Sequence, residues 1–159
     1  MSGTDLRTRI RAFLDARHVL TLATAGEDGP WAAAVFYAAG PALELYFISD
    51  PDTRHARHLV ARAAVAATVQ EANAPWTQVQ GLQIEGVAGA LEPPGRREAE
   101  AIYLARFPEL GTLVARPAGA TAAAVAARFA ASTFYVIRPR RIRLIDNTRG
   151  FGHREELAF

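Results

Sequence analysis

Hydrophobic and polar residues alternate along several stretches of the chain, and this pattern predicts a fold built mainly from β-strands. In the first half, three such stretches are separated by short turns that contain glycine or proline: residues 18–24, 31–38 and 43–49. Strands joined by such short turns pair in antiparallel fashion. Ahead of them, residues 5–14 carry apolar side chains at helical spacing, which predicts an amphipathic helix.

The second half of the chain mixes strand and helix patterns. Two further apolar stretches, 64–69 and 79–91, predict strands. The remaining patterns predict two helices and then two short strands: residues 93–107, 121–128, 134–137 and 141–145. Together the elements predict one domain over residues 1–159, mainly β with peripheral helices. Six or seven short antiparallel strands tend to close into a barrel, here with a helical insert at about 93–130.

Composition removes several kinds of chemistry. The chain has no cysteine, and all 18 basic residues are arginine, so thiolate catalysis, disulfides and lysine Schiff bases are excluded. The formal net charge of +2 is too small to indicate a nucleic-acid partner. Because the chain has no apolar run of about 20 residues and no apolar stretch at its start, we expect a cytoplasmic protein without a membrane segment.

The segment from residue 45 to residue 61 carries the candidate chemistry. A strand ends at Ser49, a polar loop follows, and a short helix begins after Thr53. The free N–H groups at a helix start favour an anion, and Thr53, Arg54 and His55 add side-chain donors. The same residues also suit an ordinary capped surface helix. His55 and His58 lie three residues apart and could hold a metal or simply pack, but no third ligand follows at a usual spacing, so we predict no metal site.

Ser49 with the triplet Thr53-Arg54-His55 resembles the flavin-phosphate loop of the pyridoxamine phosphate oxidase-like family of FMN-binding split barrels. Residues 30–38 are similar to the family strand that runs under the flavin ring. Residues 79–86 are similar to the strand that offers an amide side chain to the ring. The resemblance implies a split barrel and assigns these residues to the cofactor FMN: Ala33, Ala34, Val35, Phe36, Ile48, Ser49, Thr53, Arg54, His55, and Gln80 or Gln83.

The resemblance also implies a homodimer with the cofactor between the subunits, acting as an FMN-dependent oxidoreductase on a small molecule. Two positions depart from the family pattern. Ala33 stands where pyridoxamine phosphate oxidase has an arginine, and Ala38 stands where it has a lysine. These losses of positive charge support an alternative, a non-catalytic protein that binds flavin, deazaflavin or haem.

A little-characterised bacterial branch of the family combines two motifs that this chain shares. One is Thr-Arg-His-Ala at 53–56, and the other is Asp-Asn-Thr-x-Gly-Phe-Gly at 146–152. In related split barrels the tail lies near the partner subunit's flavin, so Asn147 or Arg149 could line the shared site. The segment also suits a turn capped by its own Asp and Asn side chains.

Overall fold

The computed structural model describes residues 3–159, with side chains described from Asp5 onward. Five helices are present in this part of the chain: α1 (Gly3–Asp15), α2 (Arg54–Ala61), α3 (Gly95–Arg106), α4 (Pro108–Ala115) and α5 (Gly119–Ala131). Seven strands accompany them: β1 (Val19–Gly26), β2 (Gly29–Ala39), β3 (Leu45–Ser49), β4 (Ala64–Gln70), β5 (Gln80–Ala90), β6 (Thr133–Asp146) and β7 (Arg154–Ala158). Single 3-10 turns lie at Trp76–Gln78 and Asn147–Arg149.

Six of the strands close into an antiparallel barrel. The order around it is β1, β2, β3, β6, β5 and β4, and β4 returns to pair with β1. Strand β7 lies outside this ring and pairs only with the second half of β6. The structure therefore confirms the predicted fold class, a mainly β antiparallel barrel with peripheral helices.

Strand β6 corrects the prediction of two short strands around Pro139. It is one strand of 14 residues that pairs with β3 and β5 and then with β5 and β7. Pro139 is tolerated because the register shifts between Glu85 and Gly86 of β5, opposite the proline. A Cβ atom on Gly86 would lie 2.4 Å from the carbonyl oxygen of Arg138, so only glycine permits this approach.

The helical segment and the tail also differ from the prediction. Three helices, α3 to α5, lie between β5 and β6 where two were predicted. The expected loop at 116–120 is shorter, since α5 already begins at Gly119, whose φ of +85° suits glycine. Strand β7 was not predicted, because its sequence Arg-Glu-Glu-Leu-Ala offers a single large apolar residue.

The molecule has two apolar cores, one on each side of the barrel wall. The inner core fills the barrel and includes Leu22, Phe47 and Ile137, all fully buried. The outer core lies where α3 and α5 cover the wall, and it includes Ala38 and Phe134. Successive residues of a strand point to opposite faces, so one strand can serve both cores.

None of the helices in the described part of the chain is by itself long and apolar enough to cross a membrane. Helices α4 and α5 reach that length and composition only as a pair, and they are bent by 103° at the break between them.

Candidate functional site

Three polar side chains meet at the start of helix α2. Strand β3 delivers Ser49, and Thr53 caps the helix with an extended backbone (φ −67°, ψ 152°) and accepts the N–H of Ala56 at 3.4 Å. The hydroxyl of Ser49 lies 2.7 Å from Nε2 of His55 and 3.2 Å from the hydroxyl of Thr53. The Thr53 hydroxyl is itself 3.2 Å from the same ring nitrogen. Thr53 and His55 of the predicted phosphate cradle therefore lie together, with Ser49 beside them.

The chemistry of this cluster suits an anion. Burial lowers the pKa of His55, with a smaller contribution from neighbouring His58, so the imidazole is neutral near neutral pH. A neutral imidazole can present Nε2 as a donor, and the Ser49 hydroxyl can rotate to donate beside it. The first N–H groups of the helix have no carbonyl partner within the helix. These are the donors that a phosphate group requires at a helix start.

Arg54 turns away from this cluster and toward the β1–β2 turn. Its Nη2 donates to the carbonyl oxygen of Asp28 at 2.6 Å, and its Nε lies 2.9 Å from Oδ2 of the same residue. The guanidinium carbon lies 4.6 Å from the ring centre of Trp31, which provides a cation–π contact. The arginine of the triplet is thus held by the hairpin.

His58 also contacts the hairpin, on the other side of Asp28. Its Nδ1 lies 2.9 Å from the buried hydroxyl of Thr24, and its Nε2 lies 2.5 Å from Oδ1 of Asp28. The fit is close, since a Cβ atom on Gly26 would lie 2.5 Å from the His58 ring. His55 and His58 therefore serve different neighbours. In the part of the chain that the structure describes, no three His, Cys, Asp or Glu side chains are placed to hold a metal ion.

Strand β2 places its predicted cofactor residues on two faces. Ala34 and Phe36 are exposed, and the Phe36 side chain is 59% exposed. Val35 is buried in the inner core, and Ala33 is half-buried. On β3, Ile48 is half-buried and packs against the outer core.

One of the two candidate glutamines shares a cross-strand row with Ala34. Ala34 pairs with Thr21, Thr21 pairs with Thr68, and Thr68 pairs with Gln83. Three strand spacings separate the ends of this row, about 14 Å. All four side chains point out from the barrel, where Gln83 is exposed. The other candidate, Gln80, donates its amide to Asp146 at 2.9 Å.

Comparison with known proteins identifies the family of this chain. The family model for pyridoxamine 5'-phosphate oxidase matches residues 6–146. The chain belongs to the pyridoxamine 5'-phosphate oxidase family. The UPF0306 protein YhbP of Salmonella schwarzengrund is 33% identical over 149 residues, which are 93% of this chain and 90% of that protein. The chain therefore also belongs with the UPF0306 proteins.

Two solved structures illustrate the shared fold. A FAD-binding protein of Mesorhizobium loti superposes with a TM-score of 0.65 at 18% identity, covering 87% of this chain and 90% of that chain. A heme binding protein of Mycobacterium smegmatis superposes with a TM-score of 0.68 at 21% identity, covering 92% of this chain and 56% of that chain. At these identities the likeness shows the fold alone.

The polar side chains of the C-terminal motif, residues 146–152, form hydrogen bonds within the chain. Asp146 is buried and accepts hydrogen bonds from Gln80, from Arg9 at 3.2 Å, and from the backbone and side chain of Thr148 at 3.1 and 2.6 Å. Asn147 donates to the carbonyl oxygen of Trp76 at 2.7 Å and accepts the N–H of Gly152 at 3.0 Å. The segment is therefore a capped turn, which was one of its two predicted interpretations.

Sequence reasoning missed a cleft beside β2. Phe107, at the corner between α3 and α4, lies 4.8 Å from Tyr103 and 6.0 Å from Phe36 between ring centres, and 5.7 Å from His18. Together with Arg106 these residues border an open cleft of about 450 Å³. No local signal links them, because Phe36 and Phe107 are far apart in the chain. Only the packing of the insert on β2 brings this cleft next to the strand that the family resemblance assigns to the flavin.

Proposed function

We propose that this member of the pyridoxamine 5'-phosphate oxidase family binds FMN in a homodimer and acts as a flavin-dependent oxidoreductase on a small molecule. The observation that carries the proposal is the meeting of Ser49, Thr53 and His55 at the start of α2. The family assignment and the FAD-binding neighbour support a flavin. We expect the protein to act in the cytoplasm and without a nucleic-acid partner.

The donor set fits the phosphate of FMN. A phosphate monoester carries close to two negative charges at neutral pH, and each oxygen accepts hydrogen bonds. Ser49 and His55 would donate from side chains, and the first turn of α2 would donate from its backbone N–H groups. Arg54 would supply the positive charge once its guanidinium leaves Asp28. Ala33 stands at the position of the oxidase's arginine and contributes no positive charge.

The outward face of the barrel supports the homodimer. Ala23, Ala34 and Ala66 are exposed there, with Thr21 and Thr68 between them, so small side chains would let two barrel walls approach closely. In a two-fold dimer each patch contacts its equivalent on the other subunit. Packing these faces together would bring Gln83 of one subunit toward β2 of the other, although the two lie about 14 Å apart within one chain.

The aromatic cleft suits a small-molecule substrate. It adjoins Phe36, and its lining combines the apolar faces of Tyr103 and Phe107 with two charged residues, Arg106 and Glu109. Bound flavin supplies hydride or electron transfer, while the protein binds and orients the reactants and excludes water. Arg106 is already oriented by donating to the carbonyl oxygens of Asp15 and Arg17.

A non-catalytic flavin, deazaflavin or haem carrier is the second candidate. Ala38 is 1% exposed beneath α3, so its position is closed to the charged side chain that the oxidase has there. The heme binding protein of M. smegmatis shows that the fold also serves another group. The two candidates differ in one measurement. Reduced nicotinamide should bleach the bound flavin without air if the protein is an enzyme, whereas a carrier would show no reduction by any donor tested.

Removing both of the polar side chains Arg54 and His55 of the triplet tests the phosphate assignment. Arg54→Ala combined with His55→Ala should weaken FMN binding by at least about 100-fold, because hydrogen bonds to charged groups contribute about 1.5–3 kcal/mol each. The measurement is a titration of FMN followed by quenching of its fluorescence. The far-ultraviolet circular dichroism spectrum should stay unchanged.

Arg62→Ala is the matched control, since Arg62 is an exposed arginine at the other end of the same helix. This variant should bind FMN like the wild type. Equal FMN affinity in the double variant and the wild type would show that the phosphate does not bind at the start of α2.

A further inference from the structure

We infer that Asp28 is an internal competitor for the flavin phosphate: it pairs with Arg54 and is displaced from it when a phosphorylated flavin binds. This inference rests on the proposed function. It adds a specificity-determining residue outside the helix that holds the phosphate.

Asp28 is the charged residue of the β1–β2 turn that the structure describes in contact with α2. The Asp28 carboxylate lies between Arg54, at 2.9 Å from Nε, and His58, at 2.5 Å from Nε2. Its backbone carbonyl accepts Nη2 of Arg54 at 2.6 Å. Gly29 follows directly with a φ of +97°, a conformation that glycine adopts without strain, and this turn brings the carboxylate against the helix.

The contact between Asp28 and Arg54 leaves one donor unused. The Nε atom of Arg54 is buried, and within the described side chains no acceptor completes a hydrogen bond to it. The 2.9 Å approach to Oδ2 is thus an ion pair without hydrogen-bond geometry. A buried donor left in this state lowers stability, so Arg54 would gain by moving to an acceptor with better geometry.

Asp28 would keep a partner after Arg54 leaves. Its other oxygen contacts His58, whose second nitrogen contacts the buried Thr24. The exchange therefore needs a rotation of the Arg54 side chain and leaves the hairpin attached to α2. A hydrogen bond with His58 and the charge of Arg54 hold the pKa of Asp28 below its usual value, so the carboxylate is ionised and competes with phosphate at neutral pH.

The negative charge of Asp28 should weaken binding of the flavin phosphate. An ionised Asp28 neutralises Arg54 next to the phosphate site and also repels an incoming dianion. Removing only its charge should leave Arg54 available without emptying the space around His58.

The decisive variant is Asp28→Asn, which keeps the shape of the side chain and an acceptor for His58. We expect FMN to bind about twofold to fivefold more tightly, as expected for loss of one exposed ion pair. Riboflavin, which lacks the phosphate, should bind the variant and the wild type equally. Glu27→Gln is the matched control, because it makes the same charge change one residue earlier, where the side chain is exposed. Its FMN affinity should stay at the wild-type level.

Two results would overturn the inference while leaving the proposed function standing. One is unchanged or weaker FMN binding by Asp28→Asn when Arg54→Ala does weaken binding. The other is an equal gain for riboflavin. If Arg54→Ala binds FMN like the wild type, or if neither the wild type nor Asp28→Asn binds FMN, both the phosphate assignment and the inference are wrong. In the double variant Asp28→Asn, Arg54→Ala the gain should disappear, since the competitor has lost its target.

Discussion

The start of α2 and the C-terminal turn carry the two motifs that suggested the family, and they use their polar residues in opposite ways. At the C-terminal turn, Asp146 is 4% exposed and accepts four hydrogen bonds from three residues. At the start of α2, the Ser49 hydroxyl and the His55 ring contact each other and the Thr53 hydroxyl, which also donates to the nearby carbonyl oxygen of Asp50 at 2.8 Å.

This difference separates residues that hold the fold from residues that can hold a ligand. The partners of Asp146 come from α1, β5 and the turn itself, so the carboxylate joins segments that are distant in the chain. The cluster at α2 joins only the end of β3 to the adjacent helix, and an anion could replace its internal contacts without separating any elements. We therefore expect variants of the first region to change stability and variants of the second to change flavin affinity.

The largest effect should come from Asp146→Ala. Its loss would leave the Gln80 amide and the Nη2 atom of Arg9 without their acceptor in a partly buried site, although Arg9 would keep its contact with Glu155 at 2.7 Å. The free energy of unfolding should therefore fall by about 3 kcal/mol. Urea denaturation followed by circular dichroism would measure this. Glu27→Ala, which removes an exposed carboxylate, should change stability by less than about 0.5 kcal/mol. A stable Asp146→Ala protein with weakened FMN binding would contradict the contrast between the two regions.

Asn147→Ala should have an intermediate effect. The side chain joins the two 3-10 turns through the carbonyl oxygen of Trp76 and the N–H of Gly152. Two lost hydrogen bonds should lower the free energy of unfolding by about 1.5 kcal/mol, measured in the same urea titrations. FMN affinity should not change. The opposite pattern, intact stability with weakened flavin binding, would support the interpretation that Asn147 lines the cofactor site.

The strands of the first half were predictable because their alternation is regular and their turns are short. Strand β6 was not predictable as one strand, because a proline such as Pro139 normally interrupts a central strand. It fits here because Gly86 of β5 lies opposite, and the sequence around Pro139 does not reveal that pairing. Strand β7 is an edge strand with charged residues. Charged side chains are typical of an edge strand, so β7 carries no apolar alternation by which it could be predicted.

The candidate site likewise combines contacts that were predictable from the sequence with contacts that were not. Ser49, Thr53 and His55 lie within seven residues, and a strand, loop and helix of that length bring them together locally. Asp28 lies far earlier in the chain and reaches Arg54 only because the β1–β2 hairpin packs on α2. The aromatic cleft depends in the same way on the insert folding back over β2. Local chemistry could be predicted from the sequence, whereas contacts between elements required the structure.

The smallest effect should be the pH dependence that His55 gives to stability. Burial lowers the pKa of His55 in the folded protein, whereas the unfolded chain has the ordinary value near 6.5. Below about pH 6.5 the unfolded state therefore binds a proton that the folded state does not bind, and stability falls as the pH decreases toward the folded pKa. Above that range His55 contributes no pH dependence.

His55→Gln keeps a polar side chain but removes the titration, so its unfolding free energy should vary less between pH 7 and pH 5 than that of the wild type. Urea titrations at several pH values would measure both proteins. Identical pH profiles would mean that His55 titrates in the folded protein as it does in the unfolded chain, and the cluster at α2 would then be as open to water as an ordinary capped surface helix.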